Sequence, residues 1–352
     1  LTVYDTGITY EENNAEAVRH RRFCEFAFFG EGVTLTVTPK ESYTNYEVIA
    51  DGAELESARN TDGSISIKMN KPQDFILRLD GDKWYGNDLG KVLCVFADGP
   101  KDMPTGKNVI YKQAGLHEGN ITLTGGQTLY LAPGALVKGK IKVTGTNAKI
   151  CGNGIIYDPD EITNSGGHMM SIGPSCNAKI NGIKIAGRSR GNYNIALYGA
   201  DDTLIDNVRI LSCMISDDGI SVFSGTDRLN IQNCFIYNVD NAFVLDGSSL
   251  NYPTTTQISG CLIGTSSSVF YPQGHVGIVN ATGNTSFEMA SGTDKKHGLI
   301  QNRIDPYGEA SIQLLKIKDF DASHANVTAK LMWMQGCGSE YGKNIKLINV
   351  RM

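Results

Sequence analysis

Up to about residue 112, apolar and polar positions alternate over short stretches, as in Val33-Thr-Leu-Thr-Val-Thr38, Ser64-Ile-Ser-Ile-Lys-Met69 and Phe75-Ile-Leu-Arg-Leu79. A period of two sends every second side chain to one face, so these stretches predict half-buried strands. The Gly, Asp and Asn residues between them predict tight turns. The expected product is a small antiparallel β-sandwich. The segment Asp98-Gly-Pro-Lys-Asp-Met-Pro-Thr-Gly106 is rich in turn formers and marks the junction, giving an N-terminal domain of residues 1–112 and a second domain of residues 113–352.

Beyond the junction the rhythm changes. The pattern Ile-x-Asn/Gly-x-x-Ile occurs at Ile180-Asn-Gly-Ile-Lys-Ile185, Ile205-Asp-Asn-Val-Arg-Ile210, Ile231-Gln-Asn-Cys-Phe-Ile236 and Ile258-Ser-Gly-Cys-Leu-Ile263, with a period of about 26 residues. A looser copy begins at Ile300, and Leu347-Ile-Asn-Val-Arg-Met352 is another. A strand that recurs at this interval with no helix between copies predicts an all-β chain wound into a parallel β-helix. No single turn can bury its Ile, Val and Leu side chains alone, and stacked turns can. The coil is expected to start near Ile121, with Thr128–Ile141 as an early turn. The last strand would expose an edge at Met352, to be covered by a cap beyond that point or by a partner.

Composition narrows the function. Forty glycines among Val, Ile, Thr and Asn suit strands and turns. The net charge of −5, with no basic run, argues against nucleic acid as a partner. No apolar stretch approaches the roughly 18 residues of a membrane span. The eight cysteines show no C-x-x-C pair or zinc spacing and are expected to be mostly buried thiols, so neither a metal nor a cofactor is expected. Asn120, Asn280, Asn284 and Asn326 head Asn-x-Ser/Thr sequons. The chain begins at Leu1 without a charged-then-apolar leader, so any signal peptide is expected to be absent or already removed.

A β-helix stacks residues of successive turns about 4.8 Å apart, so carboxylates one repeat apart become neighbours. In Ile215-Ser-Asp-Asp-Gly-Ile-Ser-Val222 and Asn238-Val-Asp-Asn-Ala-Phe-Val244, Asp218 and Asp240 are separated by nearly one turn; aligned on them, Asp217 sits beside Val239 and Gly219 beside Asn241. Like charges this close cannot both ionise cheaply, so one pKa should rise, which is the requirement of an acid/base pair for glycoside hydrolysis. Asp217 and Asp218 can share a cleft only if the chain bends near Gly219. His275, little more than a turn beyond Asp240, could line the same face. Lys316 and Lys318 could grip a substrate carboxylate, and Tyr193, Tyr198, Tyr237, Tyr271 and Trp333 could stack on sugar rings. The bland alternatives are a turn for Asp-Asp-Gly, a solvated face for the lysines and ordinary packing for the aromatics.

Leu129-Tyr-Leu-Ala-Pro-Gly-Ala-Leu-Val-Lys-Gly139, then Gly152-Asn-Gly-Ile-Ile156, then Asp217-Asp-Gly-Ile220 resemble the dextranase and isopullulanase family, related in fold to polygalacturonases. The resemblance implies a β-sandwich followed by a right-handed parallel β-helix, and a secreted, inverting hydrolase of α-glucan linkages, with Asp217 as general acid and Asp218 as base. A further Asp one turn earlier is implied, and that neighbourhood offers Asn194. Against the polygalacturonase pattern, Ser216-Asp-Asp218, Asp240-Asn241, Gly274-His-Val276 and Lys316-Ile-Lys318 are each close, implying Asp218, Asp240 and His275 as the catalytic set. The candidate substrate contacts are therefore Asn194, Asn241, His275, Lys316, Lys318 and Tyr198. A polysaccharide lyase and a non-catalytic carbohydrate-binding solenoid are the competing classes.

Overall fold

The computed structural model describes residues 1–5, 8–12, 15–19, 21–51, 55–80, 91–157, 167–174, 176–187, 193–213, 217–223, 225–247, 254–289, 298–302, 311–325, 331–334 and 341–352. The chain forms two compact units, Leu1–Asp102 and Met103–Met352. The expected boundary at residue 112 falls inside the second unit, because Val109–Lys112 already pairs with Thr128–Leu131 of the coil.

In the first unit, a five-stranded and a three-stranded sheet share one core. Ile65, Ile67 and Met69 of the smaller sheet meet Phe75, Leu77, Val95 and Ala97 of the larger, the period-two side chains of the alternating stretches. Among the described residues the pairing is antiparallel with one exception. Val92–Asp98 runs parallel to Arg22–Ala27, which the expected all-antiparallel sandwich did not include. These strands are far apart in sequence, so no tight turn forces them antiparallel.

The second unit is a right-handed parallel β-helix of 26 strands among the described residues. Over most of the coil three strands make one turn, each pairing in parallel with the strand three further on; in the last turns the long strands Phe270–Thr282 and Ser311–Asp321 round a corner unbroken and the count per turn falls. The repeat read from the sequence is the observed register: Ile180, Ile205, Ile231 and Ile258 stack in one column, and Ile185, Ile210, Ile236 and Ile263 in another. All eight lie in the core. Burying each such side chain contributes roughly 1.5–3 kcal/mol relative to leaving it in water, so the turns hold one another together. Cys176, Cys234 and Cys261 are also core residues; Cys337 lies outside the described residues.

Two expectations shift. The coil begins at Val109 rather than near Ile121, because its first turns are shorter than the repeat and escape a search for the longer interval. Ile300 is not a copy of the Ile180 position. It stacks between Phe270 and Met332 on another face, and the Ile258 column continues through Ala281, Ile317 and Leu347.

Candidate active site

The carboxylates sit at the corner where each turn passes from one sheet to the next. Asp217 and Asp218 precede the strand Ile220–Phe223, and Asp240 and Asn241 precede Phe243–Gly247 one turn later. Ile220 pairs with Phe243, and Gly219 N–H and Ile220 N–H donate to Asn241 and Ala242 carbonyls. The turn is therefore longer by a single position than the alignment of Asp218 with Asp240 requires, which places Asp217 over Asp240 and Asp218 over Asn241. The chain closes so tightly here that a Cβ on Gly219 would lie 2.5 Å from the Ala242 carbonyl oxygen. A residue with no side chain is what lets consecutive aspartates occupy one corner.

Each carboxylate has its own partners. Asp217 is 1% exposed; it accepts from Asn194 Nδ2 at 2.8 Å and from the Ser212 hydroxyl. Asp218, 7% exposed, accepts from Asn241 N–H at 3.0 Å and from Asn241 Nδ2 at 3.1 Å. The same Nδ2 donates to Asp240 Oδ1 at 2.9 Å, so the two Oδ1 atoms stand no more than about 6 Å apart. Asp240 is the half-buried member of the three. Asn238 Nδ2 ties the two turns by donating to the Asp217 carbonyl at 3.1 Å and the Asn241 carbonyl at 2.8 Å. Ser267 Oγ holds Asn241 Oδ1 at 3.0 Å, which orients the amide with its NH2 toward the carboxylates.

Burial pushes the Asp217 carboxyl well above the usual range, the Ser212 hydrogen bond opposes this, and the neighbouring Asp218 and Asp240 add to it. Asp218 is raised well above as well, by burial first and by the Asp240 charge second, with the Asn241 hydrogen bonds opposing. A proton held by a buried carboxyl beside a more exposed carboxylate is the asymmetry that general acid/base chemistry needs.

An aromatic group adjoins the carboxylates. Tyr193 lies within electrostatic reach of Asp218, Asp246 and Asp240, and burial followed by these charges pushes its phenol up to about 12. Its ring stacks on His168 at 4.8 Å and lies 5.3 Å from Phe223; Phe223 stacks on Tyr198 at 4.6 Å with 4° between planes. Tyr198 is 39% exposed.

The remaining candidates are placed differently. Asn194 is fully buried, so it supports Asp217 instead of facing a substrate. His275 follows the Gly247–Gly274 pair, eight residues along from the corner position that stacks on Asp240, or about 26 Å of extended chain. Its Nδ1 is 2.9 Å from Ser311 Oγ. Lys316 and Lys318 stack on Asn280 and Thr282 in the Ile258 sheet, and Lys318 pairs with Asp319 at 3.3 Å. Neither lysine joins the aspartates, and His275 lines a small pocket with Phe223 and Asp246, apart from Asp217, Asp218 and Asp240. Tyr237 is buried against Phe287 with its hydroxyl on Glu288; Tyr271 is half-buried; the Trp333 side chain lies outside the described residues. Ser212, Asn238, His168, Phe223 and Asp246 were not singled out from sequence. Phe223 and His168 are detectable only once the register pairs Tyr198 with Phe223 and carries Tyr193 one turn back to His168.

Residues 138–291 match the family described as right handed beta helix region. No curated protein matches the chain in sequence. Among solved structures, Dex49A from Penicillium minioluteum is similar with a TM-score of 0.52 and 12% identity, over 93% of this chain and 83% of that one. The catalytic domain of a GH87 alpha-1,3-glucanase in complex with tetrasaccharides aligns with a TM-score of 0.33 and 9% identity, over 99% of this chain and 92% of that one. The likeness to Dex49A over most of both chains is one of fold, and it is the fold that the motifs from Leu129 to Ile220 led one to expect.

Proposed function

We propose that the protein is a glycoside hydrolase acting on an uncharged polysaccharide, with Asp218 as general acid and Asp240 as general base. The observation that carries this reading is the Asn241 amide bridging two carboxylates from successive turns, one buried and one more open. Asp218, whose hold on its proton burial strengthens, would deliver that proton to the leaving glycosidic oxygen; Asp240 would take a proton from the attacking water. Asp217 lies beneath, held by Asn194 and Ser212, and keeps the corner in place.

Asp240 and Asp246 both lie within electrostatic reach of Tyr193 beside Asp218, while Lys316 and Lys318 lie on another sheet. Such a site repels uronic acids and favours neutral sugars, which argues against a pectin hydrolase or lyase. The dextranase-like motifs favour an α-glucan, and a polymeric substrate fits a secreted enzyme. Reducing-sugar release across neutral α-glucans and pectins tests this. Asp218→Asn is expected to lower turnover of the best α-glucan about 10²- to 10⁴-fold while oligosaccharide binding persists; full activity in that variant refutes the assignment.

A glycan-binding solenoid without chemistry is the second reading, favoured by the neutral Asn194 amide where the resemblance implies a carboxylate. Binding to the same glucans with no product after days of incubation would establish it.

A further inference from the structure

The geometry points to a second, non-catalytic sugar subsite built on the Tyr198–Phe223 ring stack and locked by His168, which takes an uncharged pyranose of the same glycan several units from the bond cleaved. That its ligand is a glycan rests on the reading above.

The protonation of the His168 ring follows from its two neighbours. Tyr193 N–H can only donate, and it points at His168 Nδ1 at 3.2 Å, so Nδ1 is the bare, accepting nitrogen. The proton of the neutral ring is then on Nε2, which lies 2.7 Å from the Tyr198 hydroxyl and donates to it. Burial, with the Lys140 charge second, lowers the affinity of His168 for a second proton and so preserves this state. One acceptor position of the Tyr198 oxygen is filled from behind, and its own proton is turned outward as a donor.

The hydroxyl so oriented sits on an exposed ring. Tyr198 stacks face to face on Phe223 at 4.6 Å, and Tyr193 closes one side of the pair at 5.3 Å from Phe223. An exposed phenol gains nothing in water from a half-buried histidine that fixes its rotation, and the apolar rings beside it lose nothing by being covered. A pyranose offers the matching surface: an apolar face of C–H groups to lie against a ring, and hydroxyls at its rim to accept from Tyr198. The nearest fixed charge along the strand register is Asp246, stacked on Phe223, which again excludes acidic sugars.

The register also sets the distance. Tyr198 and Phe223 lie at the far end of their strands from the Asp218 corner, five residues along the chain and so at most about 16 Å away between backbones. A chain long enough to reach from the carboxylates to Tyr198 gains the extra contact, and a shorter one does not.

The test uses the full chain and neutral α-glucan oligosaccharides from isomaltotriose to isomaltohexaose, with tetragalacturonate as the acidic probe. Tyr198→Ala is expected to raise KM for the hexasaccharide about fivefold to tenfold with a smaller change in kcat, and to affect the trisaccharide less. Tyr198→Phe keeps the ring and recovers part of that loss. His168→Phe removes the lock and resembles Tyr198→Phe, whereas His168→Gln, which can both accept and donate, restores it. Equal losses on short and long substrates overturn the subsite, as does tetragalacturonate binding through Tyr198. Binding by titration in the Asp218→Asn background separates the two proposals. Glucan binding that ignores Tyr198, with hydrolysis intact in the parent protein, defeats the subsite alone; binding through Tyr198 with no hydrolysis in the parent defeats the catalytic reading alone.

Discussion

Asn194 Nδ2 donates to Asp217 Oδ1 at 2.8 Å, from one turn of the coil to the next, and both groups are shielded from solvent. Replacing that donor by an acceptor should be costly. Asn194→Asp sets two buried carboxyls against each other, so the new group has a folded pKa above its unfolded value. Its penalty is small below about pH 4 and grows as pH rises. We expect the melting temperature of the variant to match the parent near pH 4 and fall well below it at pH 7; equal differences at both pH values would show that the contact is not electrostatic.

The native pair obeys the same sign. Asp217 and Asp218 are raised above the usual carboxylate range by burial. A group whose folded pKa is raised stabilises most below its unfolded pKa, near 4, and that stability is lost as pH rises through the folded value. The double variant Asp217→Asn, Asp218→Asn should therefore lose less stability than the parent between pH 4 and pH 8, as read by denaturant titration. A steeper loss in the variant contradicts the assignment.

Gly187 supports the corner from the preceding turn. A Cβ there would lie 2.2 Å from Asn194 Oδ1 and 3.2 Å from Asp217 Oδ2. Gly187→Ala should cost about 1–3 kcal/mol of stability and displace Asp217 from Asn194. Thermal melting reads the first effect and turnover the second, and an alanine variant with parental melting and activity would show that the corner has room to spare.

Asn241 opposes the rise of Asp218 by donating to it twice. Asn241→Leu removes the side-chain donor, so Asp218 keeps its proton to higher pH. The alkaline limb of the kcat/KM profile should move upward while its maximum falls. An unmoved limb would mean that Asp218 is not the acid.

Lys316 and Lys318 lie on another sheet, and His275, beside Asp246 and Phe223, is apart from Asp218 and Asp240 in the register. Alanine variants at these positions should keep turnover within about twofold of the parent, the range of ordinary surface substitutions. A large loss in His275→Ala would instead restore a polygalacturonase-like site. An early proton NMR spectrum of the product bears on the chemistry directly: single displacement yields the anomer opposite to the bond cleaved. A retained anomer would assign the closely spaced Asp218 and Asp240 to double displacement.

Much of the fold was legible because burial imposes it at each turn. Ile180, Ile205, Ile231 and Ile258 recur since every turn must present an apolar side chain to the same interior, and the spacing alone predicted which of them stack. Asp217, Asp218 and Asp240 were found by the same logic applied to the corner. What escaped was the offset there. Strands stack by backbone hydrogen bonds, but corners differ in length from turn to turn, and a difference of a single position moved Asp240 from beneath Asp218 to beneath Asp217. His275, Lys316 and Lys318 lie apart from Asp218 and Asp240 for a related reason: linear distance in a coil says how many turns apart two residues are, and says little about which side of the coil they face.

The chain of amino acids thus determined by itself that there is a coil, which side chains fill it and that acidic residues gather at one of its corners, since apolar periodicity is a local property repeated many times. Only the tertiary structure decided which carboxylate meets which amide, that Asn194 turns inward, and that His168, Tyr193, Tyr198 and Phe223 assemble beside them. Those contacts depend on the depth and register of non-repeating corners, where a shift of a few ångströms changes the partner and no periodicity exists to report it.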